Sequence, residues 1–219
     1  MAGGGIILLL IGPTGSGKTS FAKFAGCDVE VTSRTTACKG YPTKDQRFWI
    51  IDTPGLDDVP ANNLAILKNL AHVLNEIGPD QAIGAIFFHR ITDGKFGGTA
   101  RSHLDIFKQI CGPDFKKQAA FVTSMWNRAG AKGRVTYERS SHELATRYFL
   151  IGPTFTFESD TKSVQKVLEH FSKTPPKTEP QLVTELKRVG SSLSGVRKTS
   201  AGKAVLAARK RGGGGCVIL

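Results

Sequence analysis

The sequence predicts an α/β domain with a mostly parallel sheet, and two observations lead to this prediction. Strand-like apolar runs alternate along the chain with segments of helical periodicity, which is the order that gives parallel strands joined by helices. The first apolar run, Ile6 to Ile11, leads directly into a glycine-rich loop and then into a helix-like segment, Lys18 to Phe24. A loop of this kind after a buried strand is typical of the three-layer P-loop NTPase fold.

The glycine-rich loop spans Gly12 to Thr19 and fits the phosphate-binding pattern G-x-x-x-x-G-K-[ST]. Its glycines let main-chain N–H groups converge on phosphate oxygens without interference from a Cβ atom. Lys18 is expected to bind the β- and γ-phosphates and to assist catalysis, and the Thr19 hydroxyl is expected to bind Mg²⁺. The nucleotide-binding residues predicted here are Gly12, Thr14, Gly15, Ser16, Gly17, Lys18, Thr19 and Ser20.

A second motif, Asp52-Thr53-Pro54-Gly55, follows a strand-like apolar run. Because the carboxyl ends of parallel strands meet at one edge of a sheet, Asp52 is expected beside the phosphate loop, where it holds Mg²⁺ through water. The Gly55 N–H is expected to contact the γ-phosphate. The threonine-rich segment 32–38 supplies a threonine that closes over the metal. Alternatively, these threonines are surface residues of a β-hairpin, because 37–41 and 46–51 are strand-like.

The remainder of the first 172 residues fits the same fold. Leucines recur at helical spacing between 62 and 77, and segments 101–110 and 161–171 are also helix-like, whereas 81–88 and 118–123 are strand-like. We predict one nucleotide-binding domain over residues 1–172. Residues 173–219 are predicted to form a flexible basic linker and tail, because proline, glycine, serine and basic residues dominate there. Within it, only 181–189 has the pattern of a short helix.

The net charge of +12 is concentrated in that tail. Residues 1–172 contain 20 basic and 16 acidic residues, whereas residues 173–219 contain 10 basic and 2 acidic residues. A basic segment suits nucleic acid or an anionic membrane. Because no aromatic residue lies among these charges and no nucleic-acid-reading motif is visible, we expect a membrane partner and no nucleic acid.

The last four residues, Cys216-Val217-Ile218-Leu219, fit the C-a-a-X prenylation signal, and the final leucine favours a geranylgeranyl group. A single lipid anchors weakly, and the basic run Arg209-Lys210-Arg211 supplies the second signal that stable anchoring needs. Coincidence or a cloning scar is the alternative. With no recognisable signal peptide or apolar run long enough to span a bilayer, we expect the cytoplasmic face of a membrane, with a cytosolic pool.

Three motifs taken in order carry a resemblance to a known family: G-x-x-x-x-G-K-T, S-x-T-x-x-C (Ser33, Thr35 and Cys38) and I-D-T-P-G. They resemble the immunity-associated GTPases, the septins and the chloroplast import GTPases. Fungal P-loop GTPases with R-I-T-D and T-[ST]-M-W segments are closer still, and here those segments are Arg90 to Asp93 and Thr123 to Trp126. The resemblance covers about residues 6–171.

This resemblance implies a Ras-like G domain that binds GTP and GDP with Mg²⁺ and changes conformation with the nucleotide. It implies that Thr35 is the switch threonine, acting in metal binding and catalysis beside Thr19 and Asp52, and that Thr123 contacts the nucleotide. In several relatives two copies assemble through the nucleotide-binding face, so we also expect a nucleotide-dependent homodimer.

The chain departs from Ras-like GTPases at two points. Ser124 and Trp126 replace the lysine and the aspartate of the guanine-reading [NT]-K-x-D motif; Asn127 offers an amide instead, while Trp126 either stacks on a base or belongs to the core. Leu56 replaces a water-orienting glutamine, so intrinsic turnover should be slow, or dependent on a partner or second copy. Arg34 and Arg90 are candidates to act in trans, or are surface residues. A nucleotide-gated scaffold without hydrolysis and an ATP-using P-loop enzyme remain alternatives.

Overall fold

The computed structural model describes residues 5–31, 35–57, 59–77, 81–93, 98–113, 118–130, 135, 152–177 and 179–212. The strands within these ranges are β1 (Ile6–Ile11), β2 (Lys39–Pro42), β3 (Phe48–Asp52), β4 (Ile83–Arg90), β5 (Ala119–Ser124) and β6 (Thr154–Thr156). They form one six-stranded sheet in the order β2-β3-β1-β4-β5-β6. Every neighbouring pair is parallel except the β2–β3 hairpin. The predicted mostly parallel α/β fold and the predicted hairpin are confirmed.

The helices are α1 (Lys18–Phe24), α2 (Pro60–Glu76), α3 (Gly98–Cys111), α4 (Thr161–Lys173), α5 (Gln181–Val189), α6 (Leu193–Lys198) and α7 (Ser200–Gly212). The first four agree with the sequence prediction to within a few residues at each end, because each carries an apolar stripe at helical spacing. None of the helices in the described ranges is long and apolar enough to cross a membrane.

The sheet is covered on both faces, and β1 shows why its sequence is apolar throughout. Ile7, Leu9 and Ile11 belong to one buried cluster, together with side chains of α2 and α3. Leu8 and Leu10 belong to the other cluster, together with side chains of α1 and α4. Alternate residues of a strand face opposite sides, so a strand covered on both sides must be apolar at every position. The result is a three-layer domain with β1 at its centre.

The C-terminal segment contains the short helix expected over 181–189 but differs otherwise from its prediction as a flexible tail. From 181 to 212 the chain forms α5, α6 and α7, which pack together against α2 and α3. Leu182, Val196 and Val205 from these helices are fully buried in the same cluster as α2 and α3. The described part of this segment is therefore a folded layer on the domain, and its buried side chains extend the core beyond residue 172.

Candidate nucleotide site

The site lies at the carboxyl edge of the sheet, where β1 passes between β3 and β4. The chain leaves β1 toward β3 on one side and later returns to β4 on the other side, so a crevice opens at the end of β1. The register pairs Leu10 with Asp52, which puts the Asp52 carboxylate next to the start of the glycine-rich loop. Two motifs that are 34 residues apart in sequence, measured from Lys18 to Asp52, thus meet at one edge.

The glycine-rich loop encloses a cleft of about 240 Å³, here called the nucleotide cleft. Most of the residues predicted to bind nucleotide line it, while Gly12 and Asp52 support it from behind. Sequence reasoning missed four lining residues, Val31, Thr53, Met125 and Arg128. Met125 belongs to the recognised T-S-M-W segment and Arg128 follows it by two residues, so that segment was the available signal. The predicted residues that line the cleft are Thr14, Gly15, Ser16, Gly17, Lys18, Thr19, Ser20, Thr35 and Gly55.

The three predicted metal ligands converge in the structure. The Thr19 hydroxyl donates a hydrogen bond to Asp52 Oδ2 at 2.6 Å, and the Thr35 hydroxyl donates to the same oxygen at 3.3 Å. The two hydroxyl oxygens lie 3.0 Å apart. Thr35 precedes β2 and is therefore not a residue of the hairpin. Ser33, from the same motif, lies outside the described residues.

The Asp52 carboxylate is only 1% exposed, and its second oxygen, Oδ1, has no hydrogen-bond partner among the described residues. Burial raises the pKa of Asp52, while the Thr19 hydrogen bond and the Lys18 charge act in the opposite direction. A buried carboxylate oxygen without a partner is costly unless a cation or water meets it. Two hydroxyls and a carboxylate are hard oxygen donors of the kind that Mg²⁺ prefers, so the residues present fit a magnesium ion.

Lys18 is buried at the base of the loop. Its Nζ donates hydrogen bonds to the carbonyl oxygens of Gly12 at 3.1 Å and Pro13 at 3.0 Å. Burial lowers the pKa of Lys18 to about 8, an effect that Asp52 opposes and Arg90 reinforces. The ammonium group is thus held by two neutral carbonyls and carries a poorly compensated charge, which an incoming phosphate group can neutralise.

The segment after Asp52 is bound directly to the glycine-rich loop. The Leu56 N–H donates to Gly12 O at 3.0 Å, and the Thr14 N–H donates to Leu56 O at 3.3 Å. The approach is so close that a Cβ on Gly55 would lie 2.2 Å from the Thr14 backbone, which only glycine avoids. The Leu56 side chain is 2% exposed and packs in the core cluster of α2 and α3. The residue after D-x-x-G therefore faces the core and not the cleft.

The base-side residues are arranged differently from the prediction. The Thr123 hydroxyl donates to Phe155 O at 3.2 Å and accepts from the Trp126 indole N–H at 3.0 Å, so it orients Trp126 instead of lining the cleft. Met125 has a left-handed backbone, with φ of 65°, and its side chain lies near Gly17. Trp126 is half-buried and absent from the cleft lining.

Arg90 acts within its own chain in this structure. Its guanidinium donates through Nη1 to Thr14 O at 2.9 Å and pairs through Nε with the Asp93 carboxylate at 2.8 Å. It thereby fastens the end of β4 to the glycine-rich loop, which argues against a purely surface role. Arg34, the second candidate to act in trans, and Cys216, the predicted lipidation site, lie outside the described residues.

No protein-family model matches the sequence, and no curated protein matches it. Solved structures do match its architecture. Toc33 from Arabidopsis thaliana, crystallised as a dimerization-deficient mutant, is 13% identical over 80% of this chain and 88% of its own, with a TM-score of 0.57. Era, crystallised with MgGDPNP and part of 16S ribosomal RNA, is 12% identical over 80% of this chain and 58% of its own, with a TM-score of 0.57. The fold is that of a P-loop GTPase domain.

A bacterial selenocysteine-specific elongation factor, EF-Sec, contains the same G-domain fold at 14% identity, over 77% of this chain, with a TM-score of 0.52. This chain spans only 28% of EF-Sec, so only part of that protein is similar to it. The predicted G-domain fold is thus confirmed. The finer resemblance to septins, immunity-associated GTPases and fungal relatives stays a prediction.

Proposed function

We propose that this protein binds GTP and GDP with Mg²⁺ and hydrolyses GTP slowly, at a rate set by a partner or a second copy. The convergence of Thr19, Thr35 and Asp52 beside the glycine-rich loop is the observation that carries the proposal. The G-domain fold shared with Era, whose structure contains MgGDPNP, supports it. Two hydroxyls and a carboxylate that meet at one point are the donors that Mg²⁺ prefers.

Each residue has a distinct role in this proposal. Lys18 supplies positive charge to the β- and γ-phosphates, and the loop amides donate to the phosphate oxygens. Thr19 and Thr35 hold the metal, with Asp52 orienting its water. When bound, Mg²⁺ neutralises charge on the β- and γ-phosphates. Because Thr35 reaches this site from a segment outside the sheet, loss of the γ-phosphate is expected to release it, which makes the segment around Thr35 a switch.

Nucleotide identity tests this assignment. Nucleotide extracted from the purified wild-type protein is expected to be GDP or GTP, and the Lys18→Ala variant is expected to carry none. The described residues of the cleft include no carboxylate that could recognise guanine. Displacement of a bound fluorescent guanine nucleotide by GTP or by ATP therefore measures which base the protein prefers. Preferential binding of ATP would favour an ATP-using P-loop enzyme and overturn the guanine assignment.

A nucleotide-gated scaffold that does not hydrolyse GTP is the second candidate, and the burial of Leu56 favours it. Without a polar side chain at that position, the chain lacks the usual group for orienting a nucleophilic water. Single-turnover hydrolysis measured at increasing protein concentration separates the two candidates. Rates that rise as a homodimer forms support a dimer-activated GTPase, whereas no turnover at any concentration supports the scaffold.

We also propose that a prenyl group on Cys216 and the adjacent basic residues tether the protein to the cytoplasmic face of an anionic membrane, with a cytosolic pool. The support is the C-a-a-X sequence and the basic residues before it. Cell fractionation is the test. After membranes are washed with high salt, which screens binding by basic residues, Cys216→Ser is expected to move the protein from membranes to the soluble fraction, and an unchanged distribution would exclude the lipid as the tether.

A further inference from the structure

The outward surface of the three C-terminal helices has an unusual composition. We call it the C-terminal face and define it by Arg188, Val189, Leu193, Arg197, Lys203 and Leu206, all of which are exposed. The opposite side of the same helices packs on α2 and α3 through side chains that include Leu182, Leu186 and Val205. The C-terminal face therefore consists of side chains outside the contact with α2 and α3, and it belongs to a folded, supported layer.

The charge of this layer is almost entirely positive. Residues 181–212 contain eight basic residues and one acidic residue, Glu185. The Glu185 carboxylate is turned inward, where it accepts hydrogen bonds from Ser200 N at 2.8 Å, from Ser200 Oγ at 2.6 Å and from Gln181 Nε2 at 2.9 Å. Its charge ties α5 to the start of α7. Glu179, which precedes α5, pairs with Lys187 at 2.6 Å, so the basic residues that define the C-terminal face have no carboxylate from these helices to offset them.

Aliphatic side chains lie among these charges. Val189, Leu193 and Leu206 are 37%, 38% and 37% exposed, and they make up three of the six large apolar side chains exposed among the described residues. Basic side chains together with exposed aliphatic ones suit an anionic bilayer, because the cations reach the lipid phosphates while the aliphatic groups enter the headgroup boundary. Residues 181–212 contain no aromatic side chain on which a nucleic-acid base stacks.

We propose that the C-terminal face is a docking surface for anionic lipid headgroups. This inference rests on the proposed membrane location and adds a folded surface to the lipid tether. Because the face is continuous with the layer that packs on α2 and α3, docking through it holds the G domain in one orientation, with the α2 and α3 side toward the bilayer. A lipid tether by itself leaves that orientation free.

Vesicle binding by the full chain without its lipid tests the proposal. The Cys216→Ser protein is expected to sediment with vesicles of phosphatidylcholine and phosphatidylserine, but not with vesicles of phosphatidylcholine alone, and to dissociate as salt is raised. The triple variant Arg188→Gln, Arg197→Gln, Lys203→Gln is expected to lose about a hundredfold in partitioning, since each basic residue near an anionic surface contributes about fivefold. Leu193→Ser is expected to reduce binding without changing its salt dependence.

The matched control removes three charges from the other side of the sheet. Lys23, Lys162 and Lys166 are exposed on α1 and α4, and their triple replacement by glutamine is expected to leave vesicle binding within about threefold of the parent, because charges far from the bilayer are screened. Equal losses in both triple variants would overturn the proposal by showing that only net charge matters. Binding to single-stranded RNA in preference to the anionic vesicles would also overturn it.

These outcomes are independent of the tether and of the nucleotide. If Cys216 is not lipidated, fractionation of Cys216→Ser is unchanged, yet binding of the unlipidated protein to anionic vesicles still measures the C-terminal face. GTP binding by both triple variants, together with their unfolding transitions, shows that the substitutions leave the fold intact.

Discussion

Lys18 shows how burial prepares a single residue for anion binding. Its ammonium group is withdrawn from water and held by the carbonyls of Gly12 and Pro13, and the nearby Asp52 offsets the loss of solvation only in part. The lowered pKa of Lys18 is the thermodynamic sign of this imbalance. A bound triphosphate restores the missing negative charge and raises the pKa of the lysine again.

The affinity for Mg²⁺-GTP should therefore depend on pH. The pKa of Lys18 is about 8 in the free protein, so the ammonium form dominates below that pH and is lost as the pH rises. Above pH 8, binding must take up a proton, and affinity is expected to fall by up to about tenfold per pH unit until the pKa of the complex is passed. Titration with a fluorescent GTP analogue across alkaline pH measures this. Lys18→Arg, which stays charged, is the control, and an equally flat wild-type profile would contradict the prediction.

Leu56 occupies the position of a catalytic glutamine but belongs to the core. Leu56→Gln is therefore expected not to accelerate single-turnover GTP hydrolysis, and to lower the free energy of unfolding by about 1–3 kcal/mol because an amide is buried without partners. Leu56→Met, which preserves volume and polarity, should cost less than about 1.5 kcal/mol. Denaturant titration and single-turnover assays give both results. Faster hydrolysis with unchanged stability would show that the side chain reaches the cleft.

Among the secondary-structure elements, the C-terminal helices complete the domain. The helices α2 and α3 present apolar side chains away from the sheet as well as toward it, and α5 and α7 cover part of that surface. The Ser200 hydroxyl at the start of α7 donates a hydrogen bond to Glu185 Oε1 of α5, with 2.6 Å between the two oxygens. Since these contacts involve buried apolar area, they stabilise the fold in a way that a mobile tail does not.

Two neighbouring residues of α7 test whether this helix is part of the folded domain or of a mobile tail. Val205 is fully buried and Leu206 is 37% exposed. Val205→Ala is expected to lower the free energy of unfolding by about 1–3 kcal/mol because it leaves a cavity, whereas Leu206→Ala should change it by less than about 0.5 kcal/mol. Chemical denaturation of the two variants measures this difference. If both substitutions were neutral, α7 would not be part of the folded domain.

In the whole molecule, one buried cluster connects the nucleotide site to the C-terminal helices. Leu56, bonded through its backbone to the glycine-rich loop, belongs to the same cluster as Leu67 in α2, Phe107 in α3 and Val205 in α7. Opening the C-terminal layer therefore exposes side chains that also support the loop. We expect the sheet and the C-terminal layer to unfold in a single cooperative transition.

Nucleotide should then protect both parts together. At a concentration about 100 times its Kd, Mg²⁺-GTP is expected to add about 2.7 kcal/mol to the free energy of unfolding. Hydrogen exchange should show this increase in the slowest amides of α7 as well as in those of β1. Lys18→Ala, which is expected not to bind nucleotide, should show no increase in either element. If nucleotide slowed hydrogen exchange in β1 but left the exchange rates in α7 unchanged, the C-terminal layer would open independently of the sheet.

Most of the fold and the meeting of two of the three candidate metal ligands could be predicted from local sequence. The glycine-rich loop and the D-x-x-G motif are contiguous patterns whose spacing is dictated by backbone geometry, and each follows an apolar strand. Parallel strands bring their carboxyl ends to one edge, so the meeting of Thr19 and Asp52 follows from the pattern alone. Thr35 was found through the family resemblance, and its contact with Asp52 agrees with that assignment.

Other features depend on contacts between residues that are distant in sequence, and only the tertiary structure decided them. Leu56 faces the core, the Trp126 indole donates a hydrogen bond to the Thr123 hydroxyl, and Arg90 donates one to Thr14 O. Each of these contacts depends on which strands and loops are neighbours in the fold. Composition suggested a mobile tail after residue 172 because basic and small residues hide the few apolar positions. The short helix expected over 181–189 is present, whereas α6 and α7 were missed because their stability comes from the apolar surface of α2 and α3 that they cover.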